Sequence, residues 1–327
     1  MLRGHLRAIA GGRAAPKRPA AADWRAALER VADAYAETTL AAHRRDLEAY
    51  ERWCAEAGYA CIPASAEQVA AFVQATLEHC AVRTIARRLH VIGRVHQWLE
   101  LPDPTSDQLV KIAYRAAVKR RAKPPRQALG LSAELRNQLL AACPETLLGL
   151  RDRAMISVGY DTLCRRSELV RLRVEDLAPL ADGSAKVLVA QSKNDPLSEG
   201  RFAYLSARGR DDLQAWLRAA GITAGAIFRA VHDGQVGAEA MNPRIVNRTI
   251  QVAAVRAGLA PEVVKQLSGH SLRVGAAQDL AIQGRSVLQI MRAGRWYSLN
   301  GMRLCAEGRR ERVGRRSIGA ALGGHVL

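Results

Sequence analysis

The chain has 327 residues and is strongly basic, with 49 lysines and arginines against 31 aspartates and glutamates and a formal net charge of +18. A chain of this length exceeds one ordinary compact core, so we expect two domains. Hydrophobic residues make up 49% of the chain but aromatic residues only 5%, a composition that favours helices over sheets. The excess of positive charge favours a polyanionic partner, and we expect the chain to bind nucleic acid.

The cysteines and the apolar segments bear on where the protein works. Six cysteines lie at irregular spacings, so we expect reduced thiols and no disulfide framework. A zinc site from Cys54, Cys61 and His79-Cys80 fits no common ligand spacing. No apolar run approaches the roughly 20 residues of a membrane span, and the N-terminus lacks the pattern of a secretory signal. We therefore expect a cytoplasmic, nucleoid-associated protein that contacts no membrane.

The first part of the chain predicts an arm and a helical domain. Residues 1–20 carry five basic residues and no acid, which indicates either a basic arm or a terminus of no consequence. Residues 21–125 contain apolar residues at helical spacing. Asp23 and Ser65 are placed to cap helices. The pattern predicts a small bundle of five helices.

Basic residues are concentrated on this bundle and after it. They follow the polar faces of two helices and then surround Pro124-Pro125, where the proline-stiffened charge indicates a linker. The linker either crosses a phosphate backbone or acts as a solvated spacer. The predicted DNA-binding residues are Arg44, Arg83, Arg87, Arg88, Lys119, Arg120, Arg121 and Lys123.

Residues 126–327 predict a second, α-rich domain that ends in a basic tail. The sequence indicates one pair of strands, 186–190 and 201–205, joined by a polar loop that carries Lys193. Helices are expected on both sides of this pair, the last of them near 299–307. The fold class is therefore mainly α, with a small antiparallel β-sheet.

The chemistry-bearing residues indicate metal-free work on a phosphodiester. No GxxxxGK[ST] loop is present, and no group of carboxylates accompanies His270 to hold metal ions. We therefore expect neither cofactor nor metal. His270 and Arg273 lie three residues apart, on one helical face. Arg165, near Glu168, offers a second guanidinium, and two guanidinium groups can clamp one phosphate. Lys193 could protonate the departing oxygen.

Three stretches together resemble one known family. The segments DTLCRRSELVRLRVEDL (161–177), GHSLRVGAA (269–277) and GRW (294–296) are similar to the tyrosine recombinase (phage integrase) family. The resemblance covers at least residues 130–307, and the helical first domain fits the family's core-binding domain.

The resemblance implies a role for each residue of the set. Arg165 and Arg273 would clamp the scissile phosphate, with Glu168 bracing the site. Lys193 would protonate the leaving 5′ oxygen, and His270 would act as acid or base. Trp296 would hold the phosphate by hydrogen bonding and packing. Four of these roles have alternatives: Arg166 could replace Arg165, Glu168 could be a surface acid, Lys193 could be a solvated lysine and Trp296 could be a core anchor.

The sequence departs from the family pattern at the nucleophile. The family places a tyrosine nine residues after this tryptophan, and here that position is Cys305. Tyr297 belongs to a different turn. Three interpretations stay open: Cys305 is a thiolate nucleophile activated by nearby arginines, or it abolishes cleavage while leaving DNA binding intact, or it is an ordinary buried cysteine. We favour the second.

The resemblance also implies an architecture and an activity. The two domains would close as a C-shaped clamp around duplex DNA, with a homotetramer assembled on paired sites. The expected function is site-specific recombination through a covalent 3′-phosphoprotein intermediate. The alternative is a cleavage-deficient homologue that acts as a structural or regulatory DNA-binding factor. A type IB topoisomerase shares the same chemistry.

Overall fold

A computed structural model describes residues 23–121, 128–190 and 200–299. The chain divides into two compact units, Met1–Pro125 and Arg126–Leu327. Both units are built mainly of α-helices, and the second adds small antiparallel sheets, which confirms the predicted fold class. In the described ranges no helix is long and apolar enough to cross a membrane. The predicted arm at 1–20 and the predicted last helix beyond residue 299 lie outside the described residues.

The first unit, over its described residues 23–121, is a bundle of five α-helices. Asp23 and Ser65 accept hydrogen bonds from the first turns of α1 and α3, as their sequence positions predict. Helix α2 ends at Gly58, whose φ of 73° suits glycine. The helices are α1 Trp24–Arg30, α2 Glu37–Ala57, α3 Ala66–Thr76, α4 Val82–Trp98 and α5 Gln108–Arg121.

Two apolar clusters fill the interior of this unit. Trp24 and Leu47 belong to one cluster, and Tyr50 and Phe72 to the other. The rings of Tyr50 and Phe72 meet edge to face at 4.9 Å between centroids. Because α2 and α4 bury their apolar faces here, their polar faces, which carry Arg44, Arg83 and Arg87, are turned outward.

The second unit contains eight α-helices and five strands among its described residues. The helices are α6 Ala133–Ala141, α7 Leu147–Asp161, α8 Arg166–Leu169, α9 Ala207–Ala219, α10 Arg244–Arg256, α11 Pro261–Val264, α12 Gly269–Ile282 and α13 Val287–Gly294. The strands are β1 Leu177–Pro179, β2 Ala185–Val189, β3 Arg201–Leu205, β4 Arg229–His232 and β5 Gln235–Ala240.

The strands form two separate antiparallel sheets. In the first, β2 lies between β1 and β3, and Val187 pairs with Ala203. The predicted pair β2–β3 is therefore confirmed. The sequence missed β1, the β4–β5 hairpin and the short helices α11 and α13. Strand β1 has three residues, and β5 contains glycine, alanine and glutamate, which have little strand preference.

Helix α7 runs through the core of the second unit and is buried along most of its length. Helix α12 packs beside it. The backbone of Leu131 approaches α12 so closely that a Cβ on Gly275 would lie 1.8 Å from the Leu131 carbonyl oxygen. The Leu131 N–H donates to the Ser271 carbonyl at 2.9 Å. These contacts fix the first turns of α12, which carry His270 and Arg273.

Candidate active site

The turn after α7 presents Arg165 at the N-terminus of α8. The Arg165 N–H donates to Glu168 Oε2 at 2.9 Å, and its Nη1 donates to Oε1 at 2.5 Å. Glu168 is only 3% exposed, which excludes the alternative of a surface acid. Burial raises the pKa of its carboxyl, but the Arg165 N–H and the charges of Arg295 and Arg165 outweigh burial, so the pKa is lowered overall. Glu168 is therefore ionised at neutral pH.

Arg273 lies one turn into α12 and is 1% exposed. Its Nη1 donates to the Leu163 carbonyl at 2.5 Å, and its Nη2 donates to the Gly294 carbonyl. The guanidinium carbon lies 4.0 Å from the centre of the Trp296 ring. Two main-chain carbonyls and an aromatic face thus fix the plane of this guanidinium before any ligand arrives.

The spacing Gly-x-Trp follows from the packing of the ring. A Cβ on Gly294 would lie 1.8 Å from the ring of Trp296, so only glycine leaves room for the tryptophan. Trp296 is half-buried and packs against the core of the second unit. This position agrees with the alternative of a core anchor, while holding a phosphate by packing and hydrogen bonding stays a prediction.

His270 lies in the first turn of α12, three residues before Arg273, and is exposed. The Gly269 N–H beside it donates to Asn247 Oδ1 at 2.8 Å, which ties the start of the helix to α10. Partial desolvation, together with the charges of Arg273 and Arg165, lowers the pKa of His270. The imidazole is therefore neutral at neutral pH and able to accept a proton.

The structure does not support or does not describe the other predicted site residues. Arg166, the alternative to Arg165, is exposed. Lys193 and Cys305 lie outside the described residues, so their roles stay predictions. Among the residues that the structure describes, no three His, Cys, Asp or Glu side chains form a group that could hold a metal ion.

Sequence reasoning missed Arg295. This residue closes α13 in a left-handed conformation, with φ 54°. Its guanidinium is buried and donates to Glu168 and to the carbonyls of Thr162 and Leu163. Its place between Gly294 and Trp296 was the only sequence signal.

The predicted DNA-binding arginines of the first unit lie on α2 and α4. Arg44 and Arg83 are exposed. Arg87 is 54% exposed and makes a two-pronged ion pair with the buried Asp46, with Nε to Oδ2 at 2.6 Å and Nη2 to Oδ1 at 2.9 Å. Arg88 is turned inward, where its Nη1 lies 3.4 Å from the Cys80 sulfur. Arg88 is therefore the least accessible of the four.

Three further predicted residues end α5. Lys119, Arg120 and Arg121 are exposed in its last turn, and Arg121 donates to the Glu78 carbonyl at 3.0 Å. Lys123 lies outside the described residues. DNA binding by these side chains stays a prediction.

Fold and site together define a class of protein. A basic helical unit precedes an α-rich unit in which two fixed arginines, a neutral histidine and a tryptophan come together, a set suited to one phosphodiester. This is the class of DNA breaking and rejoining proteins. The phage integrase family matches residues 131–303, and the N-terminal SAM-like domain of phage integrases matches residues 24–101. The chain belongs to the phage integrase family of site-specific tyrosine recombinases, as its sequence predicts.

Named relatives agree with this assignment. The chain is 32% identical over 248 residues to the tyrosine recombinase XerC of Xanthomonas axonopodis pv. citri, covering 71% of this chain and 75% of the relative. It is 29% identical over 290 residues to an integrase/recombinase XerD homolog of Selenomonas ruminantium, covering 83% and 82%. It is 25% identical over 265 residues to the recombinase cre of Escherichia phage P1, covering 76% and 77%.

Solved structures share the fold. The XerH site-specific recombinase bound to palindromic difH substrate, in a post-cleavage complex, has a TM-score of 0.64 at 16% identity and covers 89% of this chain and 83% of that one. The lambda integrase tetramer bound to a Holliday junction has a TM-score of 0.58 at 16% identity, covering 88% and 77%. At these identities the likeness concerns the fold alone.

Proposed function

We propose that this chain binds duplex DNA at specific sites and cuts and rejoins it through a covalent 3′-phosphoprotein intermediate. The observation that carries the proposal is the convergence of Arg165, His270 and Arg273 from two separate segments. Both arginines are fixed by protein acceptors, and both lower the pKa of His270. A cationic site with a neutral base suits a single phosphodiester.

The chemical step divides among these residues. The nucleophile at position 305 attacks phosphorus, a new bond to phosphorus forms, and the bond to the 5′ oxygen breaks. Charge accumulates on the non-bridging oxygens, where Arg165 and Arg273 stabilise it. His270 takes the proton of the nucleophile, and Lys193 gives a proton to the 5′ oxygen. The covalent link keeps the phosphodiester energy, so rejoining needs no cofactor.

We propose that both units, residues 21–125 and residues 126–327, contact the duplex. Two solved structures support a DNA-bound oligomer: a lambda integrase tetramer bound to a Holliday junction and a lambda integrase dimer bound to a COC' core site. We propose a homotetramer on paired DNA sites for this chain as well.

One observation favours a second candidate function. Cysteine occupies position 305, where the family has its tyrosine. If that thiol does not attack, the chain is a DNA-binding homologue that occupies recombination sites without cutting them.

The test uses the full chain and duplexes enriched by binding from a random pool. A nick placed next to the cut position lets the freed fragment diffuse away, so a covalent intermediate accumulates and survives denaturant. The enzymatic proposal predicts an adduct with the wild-type chain that Cys305→Ala abolishes, in contrast to the cleavage-deficient interpretation that the sequence alone favours. An adduct that appears only with Cys305→Tyr would establish the second candidate, because the site is then complete except for the nucleophile.

Two results would contradict the proposal that the chain is a site-specific recombinase. One is the absence of an adduct with both the wild-type chain and Cys305→Tyr on every enriched duplex. The other is relaxation of supercoiled DNA by the monomer without site preference, which would favour a topoisomerase.

A further inference from the structure

Arg295 is the third arginine beside the phosphate site and stands outside the set that the family pattern assigns. It is 3% exposed. Its Nη1 donates to the Thr162 carbonyl at 3.0 Å, and its Nη2 lies 3.1 Å from Glu168 Oε2 and 3.3 Å from the Leu163 carbonyl. One side chain therefore links the end of α13 to the turn before α8 and to α8 itself.

Glu168 connects Arg295 to Arg165. Its Oε1 accepts from Arg165 Nη1, and its Oε2 accepts from Arg295 Nη2. With one oxygen committed to each guanidinium, the carboxylate cannot rotate without giving up an ion pair. Because Arg295 holds Glu168 in place, Glu168 in turn holds the side chain of Arg165 in place.

Arg295 also shares its anchors with Arg273. The Leu163 carbonyl accepts from both side chains, and the Gly294 carbonyl, which accepts from Arg273, directly precedes Arg295. A shift of Arg295 would move both acceptors. The two arginines expected to clamp the phosphate are thus tied to the same third residue.

The backbone gives a further reason to look for a role. The backbone φ angle of Arg295 is 54°, which lies in the left-handed region that favours glycine. A glycine would close α13 there without strain, so an arginine at this position points to a use of its side chain. Arg165 and Arg295 both pair with the carboxylate of Glu168, while Arg273 shares the Leu163 carbonyl with Arg295. Three guanidinium groups therefore lie around one carboxylate and its neighbouring turn, and this positive charge suits an anionic ligand.

We propose that Arg295 is a positioning residue of the phosphate site, which orients Arg165 through Glu168 and Arg273 through the carbonyls of Leu163 and Gly294. The proposal rests on the proposed function. Its hydrogen bonds to protein acceptors occupy both terminal nitrogens of Arg295, so the side chain acts through its neighbours and does not contact the phosphate.

The test compares three variants of the full chain. Arg295→Gly removes the side chain and suits the backbone, Arg295→Lys keeps the charge but cannot span all three acceptors, and Arg292→Ala removes an exposed charge from the same helix as the control. For each variant the rate of adduct formation is measured at saturating duplex. The background carries Cys305 or Cys305→Tyr, according to which of the two forms an adduct. Thermal unfolding gives the folded fraction of each protein, and the rate is divided by that fraction.

We expect Arg295→Gly to slow single-turnover adduct formation by roughly 10²-fold, the size expected when catalytic groups are misplaced by about 1 Å. The dissociation constant for the same duplex should change less than about threefold, since exposed charges dominate affinity. Arg295→Lys should recover part of the rate, and Arg292→Ala should keep all of it. The acid limb of the pH–rate profile should move to higher pH in Arg295→Gly, because Glu168 loses a cation that stabilises its ionised form.

An unchanged rate, or a lost rate with an unmoved acid limb, would overturn the proposal in favour of a purely structural ion pair. If no adduct forms with either cysteine or tyrosine at position 305, the proposed function fails.

The positioning role is then tested by chemical modification of Arg165 with phenylglyoxal, followed by mass spectrometry. The modification should be faster in Arg295→Gly and in Glu168→Gln than in Arg292→Ala. Equal modification in all four proteins, wild type included, would overturn the positioning role by itself.

Discussion

The two units use arginine in opposite ways. In the second unit Arg273 and Arg295 are buried, and main-chain carbonyls hold each guanidinium in place. On α4 of the first unit Arg83 and Arg87 are exposed, and Arg87 is held only by the carboxylate of Asp46. A buried, fixed charge acts in a low dielectric at one point, whereas an exposed charge acts through water and is screened by salt.

This difference separates chemistry from affinity. The arginines of the second unit should determine the rate at a phosphate that is already bound, because their geometry is set in advance. The arginines of the first unit should determine how tightly, and at what salt concentration, the duplex binds.

The largest effect is expected at Arg273. In Arg273→Lys an ammonium replaces the planar guanidinium and cannot reach both carbonyls while lying on the Trp296 ring. Adduct formation should slow by roughly 10³-fold, with a change in duplex affinity of less than about threefold, measured by single-turnover kinetics and by anisotropy. Arg256→Lys, an exposed control at the end of α10, should behave as wild type. An equal loss in affinity would contradict the division.

A smaller effect is expected from the space beneath Trp296. Gly294→Ala places a Cβ within the ring, so the ring or α13 must move, and the free energy of unfolding should fall by about 1–3 kcal/mol. The control is Gly237→Ala on β5, where the nearest atom would lie at an ordinary 3.6 Å. Urea unfolding that shows equal stability for the two variants would contradict the packing described for Trp296.

The ion pair between Asp46 on α2 and Arg87 on α4 gives the next effect. Asp46→Asn removes a carboxylate that is 3% exposed on its side chain and holds Arg87, so unfolding should become easier by about 1–2 kcal/mol, discounted for the exposed partner. Glu51→Gln breaks the solvent-exposed pair with Arg25 and should change stability by less than about 0.5 kcal/mol. If urea unfolding showed the same loss of stability for Asp46→Asn and Glu51→Gln, burial of the Asp46 carboxylate would not strengthen its ion pair.

His270 should make stability depend on pH. Its pKa in the folded chain is lowered, so below about pH 6.5 the unfolded state takes up a proton before the folded state does. Stability from this residue is present above that pH and is lost as the pH falls toward the folded-state pKa. Wild-type stability minus that of His270→Asn should therefore decrease between pH 7.5 and about pH 5. A constant difference would contradict the lowered pKa.

The smallest effect is expected at Arg83. Arg83→Ala should lower affinity for non-specific duplex only a few-fold and reduce the slope of log affinity against log salt by about 1. The rate of adduct formation at saturating duplex should stay unchanged. A slower rate with an unaltered salt slope would reverse the roles assigned to the two units.

The sequence predicted most of the elements because their signals are local. Capping by Asp23 and Ser65 and the alternation in β2 and β3 depend on neighbouring residues alone. The convergence of Arg165, His270 and Arg273 could be expected from the family resemblance.

Other features were beyond sequence reasoning because they depend on distant partners. Helix α13 is short, and it ends at an arginine in a conformation that favours glycine. That arginine is stabilised by Glu168 and by carbonyls at positions 162 and 163, more than 120 residues away. The β4–β5 hairpin is mostly exposed and carries little apolar alternation, so no pattern indicated it.

A structure of the full chain bound to an enriched duplex would show directly whether Arg165, His270 and Arg273 hold one phosphate, whether or not Cys305 reacts. We predict one backbone phosphate within about 3 Å of the guanidinium groups of Arg165 and Arg273 and of the His270 ring. A complex in which every phosphate lies away from these three side chains, with the duplex bound elsewhere, would contradict the account.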